Sequence, residues 1–175
     1  MSDIKNTIPH LSTTELAAAI QSKLVTSRQA LESLLTRIEH LNGPLNAIVL
    51  FDLKRARQLA DNADLALSKG DIWGPLHGVP CTVKENNDVA GLFNTQGDPE
   101  WKNRVSPSNE TMIERLISAG AIIFGKTNLP YHAMDLQSYN SIYGTTSNPW
   151  NTTKTPGGSS GGSAVSVACG FFFTF

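Results

Sequence analysis

The chain has 175 residues, of which 40% are hydrophobic and 17% charged, and its formal net charge at pH 7 is −1. This is enough for a globular domain with a buried core, or for part of a larger one. The near-neutral charge and the scattered Lys and Arg residues exclude a basic surface for nucleic acid or membranes, and no apolar run approaches the ~20 residues that span a bilayer.

Signals for export and for metal binding are missing from the sequence. Residues 1–5 do not read as a secretory signal, and Cys81 and Cys169 have neither metal nor redox spacing. We therefore expect a cytoplasmic protein with free thiols and without a metal or other cofactor. The histidines show no paired metal spacing, and a structural or surface role is expected for each of them: His10, His40, His77 and His132.

Two capping boxes predict two helices near the N-terminus. Ser12 is followed at the third position by Glu15, and Thr26 in the same way by Gln29. The first helix is expected to run to about Ser22. The second has an apolar face at three- and four-residue steps, made by Ala30, Leu31, Leu34, Leu35, Ile38 and Leu41.

The next elements alternate between helix and strand. Residues 42–44, Asn-Gly-Pro, are predicted to stop the second helix. The apolar run 47–51 predicts a buried strand, and Asp52 is expected to cap a third helix that ends near Gly70.

The second half of the chain continues this alternation. A short strand is predicted at 81–83, an exposed loop at 91–108, a helix at 111–118 and a strand at 121–125, with 126–128 at its carboxyl end. The pattern predicts an α/β fold in which helices flank a central sheet.

The last five residues, 171–175, include four phenylalanines. Such an apolar run belongs in a core, so the sequence looks like a chain interrupted within its fold. We expect this run and the sheet edge to lack cover, which predicts poor solubility.

Lys84 is a candidate base because it follows a predicted buried strand. Burial disfavours the charged form of lysine, and a neutral lysine can accept a proton. The alternative is a surface lysine paired with Glu85, and the residues alone favour that alternative, since most lysines are solvated.

A glycine- and serine-rich loop at 155–164 is the second candidate site. The apolar segment 164–168 follows directly, which favours a site over a flexible linker. Ser159 and Ser160 each also stand in a bare Gly-x-Ser-x-Gly pattern, but the preceding residues 151–156 make a poor strand for a hydrolase nucleophile elbow. A phosphate-binding loop is disfavoured as well, because Gly-Lys-Thr at 125–127 is separate from the glycine run.

Four blocks of the sequence carry a family resemblance. Gly78–Glu85, Gly125–Asn128, Tyr143–Asn151 and Pro156–Ala164 occur in the order found in the amidase signature family, which the chain resembles from its N-terminal helices to about Gly170. The resemblance implies a partial amidase signature fold with a mixed central sheet flanked by helices. It also implies hydrolysis of carboxamide C–N bonds.

The resemblance further implies a Ser–Ser–Lys triad. Lys84 matches the family base, and Ser159 matches the bridging serine that relays the proton and follows a cis peptide bond. Ala133 and Met134 match residues that line the acyl side of the substrate pocket. The remaining loop residues match supporting positions: Gly157, Gly158, Ser160, Gly161, Gly162 and Ser163.

The nucleophile of the family is missing from this sequence. Relatives carry it in an Asp-x-Gly-Gly-Ser motif that would fall beyond Phe175, and the motif occurs nowhere in the chain. We therefore interpret residues 1–175 as the incomplete N-terminal part of a single amidase signature domain, inactive alone.

Three functions stay open at this point. The chain is part of an amidase that acts on a small-molecule amide, part of an A-like subunit of a tRNA-dependent amidotransferase, or a non-catalytic fragment or remnant. No nucleic-acid or membrane partner is evident, and the sequence gives no oligomeric state and no substrate.

Overall fold

The structure of the chain, a computed structural model, describes residues 7–171, 173 and 174. Its helices are α1 (Thr13–Gln21), α2 (Ser27–Leu45), α3 (Leu53–Ser68), α4 (Thr111–Ser118) and α5 (Gly161–Ala168). Its strands are β1 (Ile48–Phe51), β2 (Pro80–Lys84), β3 (Ile122–Thr127), β4 (Tyr139–Asn140) and β5 (Gly144–Thr145). None of the helices in these residues is both long and apolar enough to cross a membrane.

Both predicted capping boxes are present. The Ser12 hydroxyl accepts a hydrogen bond from the Glu15 backbone N–H at 3.3 Å, and the Glu15 carboxylate accepts one from the Ser12 N–H at 2.6 Å. Thr26 and Gln29 make the same reciprocal pair at the start of α2. The helices α1 and α2 begin at these positions because the side chains of the capping boxes bond to backbone N–H groups that have no acceptor within the helix.

The predicted stop of α2 at residues 42–44 is wrong, because the helix continues through Pro44 to Leu45. A proline in the last turn removes only its own N–H bond, and Leu45 gains a buried position in the core. Asn46 then ends the helix in the left-handed conformation, with its N–H donating to the carbonyl of Asn42.

The central sheet has the strand order β1-β3-β2. β3 pairs antiparallel with β1 and parallel with β2. This mixed sheet packs against α2, α3 and α5. The predicted α/β fold, with a mixed sheet flanked by helices, is therefore confirmed.

A β-bulge in β3 changes which side chains face which side of the sheet. Cys81 pairs with Ile123 and Thr82 with Gly125, so Phe124 is an extra residue on β3. Bulges of this kind redirect the side chains that follow. Strand β3 also extends through Lys126 and Thr127, which the sequence had placed beyond its end.

The core consists of two clusters. The larger joins α1, α2 and α3 to one set of sheet residues and to Val165 of α5. The smaller contains Cys81, Val83 and Ile123 together with α4. Trp73 and Leu59 pack against the larger cluster from its margin.

The end of the chain also belongs to this core. Phe171 is fully buried in the larger cluster, so the expectation that residues 171–175 lack cover is wrong for it. Thr82 donates its backbone N–H to the carbonyl of Phe173, and Thr174 forms a parallel bridge with Thr82 at the edge of β2. Phe172 and Phe175, to which the same expectation applied, lie outside the described residues.

Candidate active site

The amino group of Lys84 lies between two serine hydroxyls. Strand β2 places Lys84 at its last position, and the loop before α5 supplies the serines. Lys84 Nζ lies 2.7 Å from Ser159 Oγ and 3.0 Å from Ser160 Oγ. The fold thus brings the predicted base into contact with the predicted relay, although 75 positions separate them in the sequence.

Burial changes the protonation behaviour of Lys84. Its side chain is partly buried at the end of β2, and this desolvation lowers the pKa of Lys84 below the ordinary lysine value. Loss of water disfavours the ammonium form, so a larger fraction of the side chain is neutral near pH 7 than in an exposed lysine. A neutral amine beside a hydroxyl can take the hydroxyl proton.

The loop before α5 needs glycine for steric reasons. The peptide bond between Gly158 and Ser159 is cis. A Cβ on Gly158 would lie 2.3 Å from the carbonyl oxygen of Gln137, a contact that no side chain tolerates. Ser138 fixes the loop by donating to the carbonyl of Gly157 at 3.1 Å and by accepting from the N–H of Gly161 at 2.8 Å.

Ser163 connects α5 to the sheet. Its hydroxyl lies 2.7 Å from that of Thr127 on β3, and Thr174 donates to it at 3.3 Å. Thr127 also donates to the carbonyl of Val83 at 3.4 Å, next to Lys84. These contacts are distant in sequence, and they hold the start of α5 against β3, which pairs with the strand that carries Lys84.

Glu85 does not pair with Lys84, so the surface ion pair considered from the sequence is wrong. Its carboxylate is fully buried and accepts from the backbone N–H groups of Thr95 at 2.6 Å and Gln96 at 2.9 Å. The hydroxyl of Tyr143 donates to it at 3.2 Å. The sequence analysis did not predict this buried position of Glu85, although alternation along a strand places neighbouring side chains on opposite faces.

Lys126 is a second buried lysine that the sequence did not single out. Its ammonium donates to the carbonyl of Phe93, and burial lowers the pKa of Lys126 to about 8. The carboxylates of Glu85, Asp88 and Glu110 oppose that change. Their negative charge partly compensates the cost of keeping an ammonium group out of water.

Comparison with known proteins identifies the family. The sequence model of the Amidase family matches residues 29–174. The chain belongs to the amidase signature family. The match includes Lys84, the serine loop and α5, so the central sheet and the candidate site both lie inside the amidase region.

Two curated relatives show the range of the family. The A subunit of glutamyl-tRNA(Gln) amidotransferase from Prochlorococcus marinus is 37% identical over 91% of this chain and 33% of that protein. Indoleacetamide hydrolase from Bradyrhizobium diazoefficiens is 40% identical over 91% of this chain and 30% of that protein. This chain therefore spans about a third of the length of these curated relatives.

Solved amidase structures share the fold. The native peptide amidase of Stenotrophomonas maltophilia is 31% identical, with a TM-score of 0.85, and the match covers 92% of this chain and 34% of that one. A bacterial aryl acylamidase of the amidase signature family is 29% identical, with a TM-score of 0.87, and the match covers 93% of this chain and 34% of that one.

Of the two predicted substrate-binding residues of this amidase-family chain, Ala133 lies on a strained turn and Met134 directly follows it. The 3₁₀ turn Tyr131–Ala133 places His132 and Ala133 at φ values of 47° and 57°, which residues other than glycine rarely adopt. Met134 is 83% exposed and lines an open cavity of about 520 Å³ with Tyr131 and Tyr139. Ala133 is not among the residues that line this cavity.

Other interpretations of the sequence are excluded by the local structure. Apart from an isolated bridge between Asn148 and Asn151, residues 151–156 form turns and coil instead of a strand, so the serine loop is not a nucleophile elbow. Residues 125–127 lie inside β3, which rules out a phosphate-binding loop there. The structural role expected for His77 is confirmed, because it is buried and bonded to Trp73 N and the Ala63 carbonyl.

Proposed function

We propose that this chain supplies the base and the proton relay of an enzyme that hydrolyses carboxamide C–N bonds. In this proposal Lys84 is the base, Ser159 is the bridging serine, and a further serine of the protein attacks the amide carbonyl. The observation that carries the proposal is the contact of 2.7 Å between Lys84 Nζ and Ser159 Oγ, with the pKa of Lys84 lowered by burial.

The proposed chemistry follows from the donors and acceptors present. A hydroxyl both donates and accepts, so Ser159 can pass its proton to neutral Lys84 while it takes the proton of the attacking serine. The protonated lysine can then return a proton through the same route to the departing amine. The acyl-enzyme that remains is hydrolysed by water, with Lys84 again as the base.

In this proposal the attacking serine is not among residues 1–175. Residues 1–175 contain no Asp-x-Gly-Gly-Ser motif, and they correspond to about a third of the curated relatives. We therefore propose that the chain has no amide turnover on its own and that residues 1–175 form part of one amidase domain. A small-molecule amide is the proposed substrate, and the cytoplasm is the proposed location, in keeping with the two free thiols.

A second candidate is a place in a tRNA-dependent amidotransferase. The similarity to amidotransferase A subunits, such as that of Aromatoleum aromaticum at 41% identity over 90% of this chain, supports it. The same base and relay would then release ammonia from an amide donor. The free amidase is preferred here because net charge and residue distribution give no basic surface for tRNA.

The test joins residues 1–170 to the remaining part of the Stenotrophomonas maltophilia peptide amidase. We expect this chimera to hydrolyse a p-nitroanilide, and Lys84→Ala or Ser159→Ala to slow it by ~100-fold or more, the usual weight of a positioned acid–base group. Lys69→Ala changes an exposed lysine and serves as the control. A folded chimera that keeps full activity without Lys84 contradicts the proposal, as does amide turnover by the 175-residue chain alone.

A further inference from the structure

Ser160 is the second hydroxyl on the amino group of Lys84, and its position differs from that of an ordinary helix cap. It occupies the N-cap of α5, where a serine side chain normally accepts from a backbone N–H of the first turn. Here the side chain makes no capping bond. Its Oγ lies 3.0 Å from Lys84 Nζ instead, and the residue is exposed.

We propose that Ser160 and Lys84 form a second reactive unit, a serine–lysine dyad that takes an acyl or phosphonyl group from an electrophile with a good leaving group. The dyad rests on the proposed role of Lys84 as a base. It does not need the serine that the chain lacks.

The two serines divide the hydrogen-bonding capacity of one amine. A neutral lysine has one lone pair and two N–H groups, so it can accept from only one hydroxyl at a time. When Ser160 donates to the lone pair, Ser159 accepts an N–H and holds the amine in place. Of the two serines Ser160 is the more exposed, and an electrophile in solution reaches it first.

The start of α5 favours the negative charge that develops in the reaction. An alkoxide at the N-cap lies at the positive end of the helix dipole. The N–H of Gly161 is already bonded to Ser138, while the first-turn N–H groups of Gly162 and Ser163 have no intrahelical acceptor. The amine of Lys84, 3.0 Å from Ser160 Oγ, and the helix dipole together favour an attacking oxygen at this position.

The reaction with an alkyl fluorophosphonate is a simple displacement. The Oγ–P bond forms, the P–F bond breaks, fluoride leaves, and the hydroxyl proton goes to Lys84. An aryl ester reacts in the same way, with the acyl carbon as the centre and a phenolate as the leaving group. An amide is not expected to react, because an amine is a much poorer leaving group than fluoride or a phenolate and the acyl oxygen needs a positioned oxyanion site.

The experiment incubates the 175-residue chain with a fluorophosphonate that carries a reporter group and locates the label by peptide mapping. We expect one label per chain on Ser160, formed faster as pH rises and Lys84 loses its proton. Lys84→Met is expected to label at least ~100-fold more slowly, whereas Lys69→Met matches the wild type. In Ser159→Ala the label still maps to Ser160.

Control variants test whether the label is specific to Ser160. Ser118→Ala changes another exposed serine and is expected to label as the wild type does. Ser160→Ala is expected to lose the label. If this variant unfolds, the position of the label in the wild type and the labelling rate of Lys84→Met still test the dyad. No label, a label on Ser159, or equal rates with and without Lys84 overturns the dyad. Such a result does not decide the proposal on amide hydrolysis, which the chimera tests. Conversely, a chimera that fails in the p-nitroanilide assay does not contradict the dyad.

Discussion

Lys84 and Lys126 lie on neighbouring strands, and their positions on these strands give them different hydrogen-bond partners. Lys84 is next to Thr127 in the pairing of β2 with β3, and Thr127 contacts α5. Lys126, one residue earlier, points away from α5 and bonds to the carbonyl of Phe93. Only Lys84 therefore meets serine hydroxyls, although burial lowers the pKa of both residues.

The buried Lys126 makes stability depend on pH in a defined window. Its pKa is about 8 when folded and 10.5 as the ordinary value. Between these values the unfolded chain binds more protons, so the free energy of unfolding rises with pH, by up to ~1.4 kcal/mol per pH unit. Between about pH 8 and 10.5 we expect the free energy of unfolding of the wild type to rise relative to that of Lys126→Met, as measured by urea unfolding.

The comparison with Lys126→Met removes other contributions in that range. Burial raises the pKa of Cys81 to about 12, so its ionisation in the unfolded chain lowers stability at high pH in both proteins. The difference in the free energy of unfolding between the two proteins is expected not to change with pH below pH 8. A difference that stays constant from pH 7 to 10 shows that Lys126 has an ordinary pKa when folded.

At the scale of elements, α5 holds the serine loop because it packs unusually close to the sheet. A Cβ on Gly162 would lie 2.4 Å from the N atom of Asn128 and 2.8 Å from the carbonyl oxygen of Ala47. The contacts are with backbone, which cannot move aside as a flexible side chain does. Glycine at this position therefore sets the distance between α5 and the strands that end near Lys84.

Gly162→Ala is expected to lower the free energy of unfolding by roughly 1–3 kcal/mol, as overpacking in a core does. The matched control is Val167→Ala on the same helix, where the side chain is 56% exposed and the expected change is within about 0.5 kcal/mol. Urea unfolding of both variants measures the difference. Equal stability of Gly162→Ala and the wild type would mean that α5 can move outward without cost.

Elements with local signals were predictable from the sequence, while their contacts were not. The capping boxes of α1 and α2 are satisfied within three residues, so the sequence contains all that is needed. The bulge at Phe124 depends on pairing between distant strands, and no local pattern marks it. The bond between Lys84 and Ser159 came from family resemblance, since the residues alone favoured a surface lysine.

Across the whole molecule, the end of the described chain completes a core that the N-terminal helices begin. Phe171 is fully buried among residues of α1, α2 and α3. Arg37 of α2 also bonds to the carbonyl of Cys169. The sequence correctly assigned Phe171 to a core, but it could not show that this core lies within the same chain.

Phe171→Ala is therefore expected to lower the free energy of unfolding by about 3–5 kcal/mol, the cost of removing a buried aromatic ring. Trp150→Ala is the comparison, because Trp150 is 81% exposed and its removal should change stability by less than about 0.5 kcal/mol. Chemical denaturation followed by far-UV circular dichroism gives both values. Similar losses in the two variants would argue that Phe171 is not packed in the core.

The burial of Phe171 has a consequence for synthesis on the ribosome. Helices α1 and α2 emerge early, yet a side chain that fills their shared core is more than 120 positions further along the chain. Contacts so distant in sequence slow folding and leave apolar surface open in the meantime. The N-terminal helices must wait, with part of their core unfilled, until nearly all of these residues have been translated.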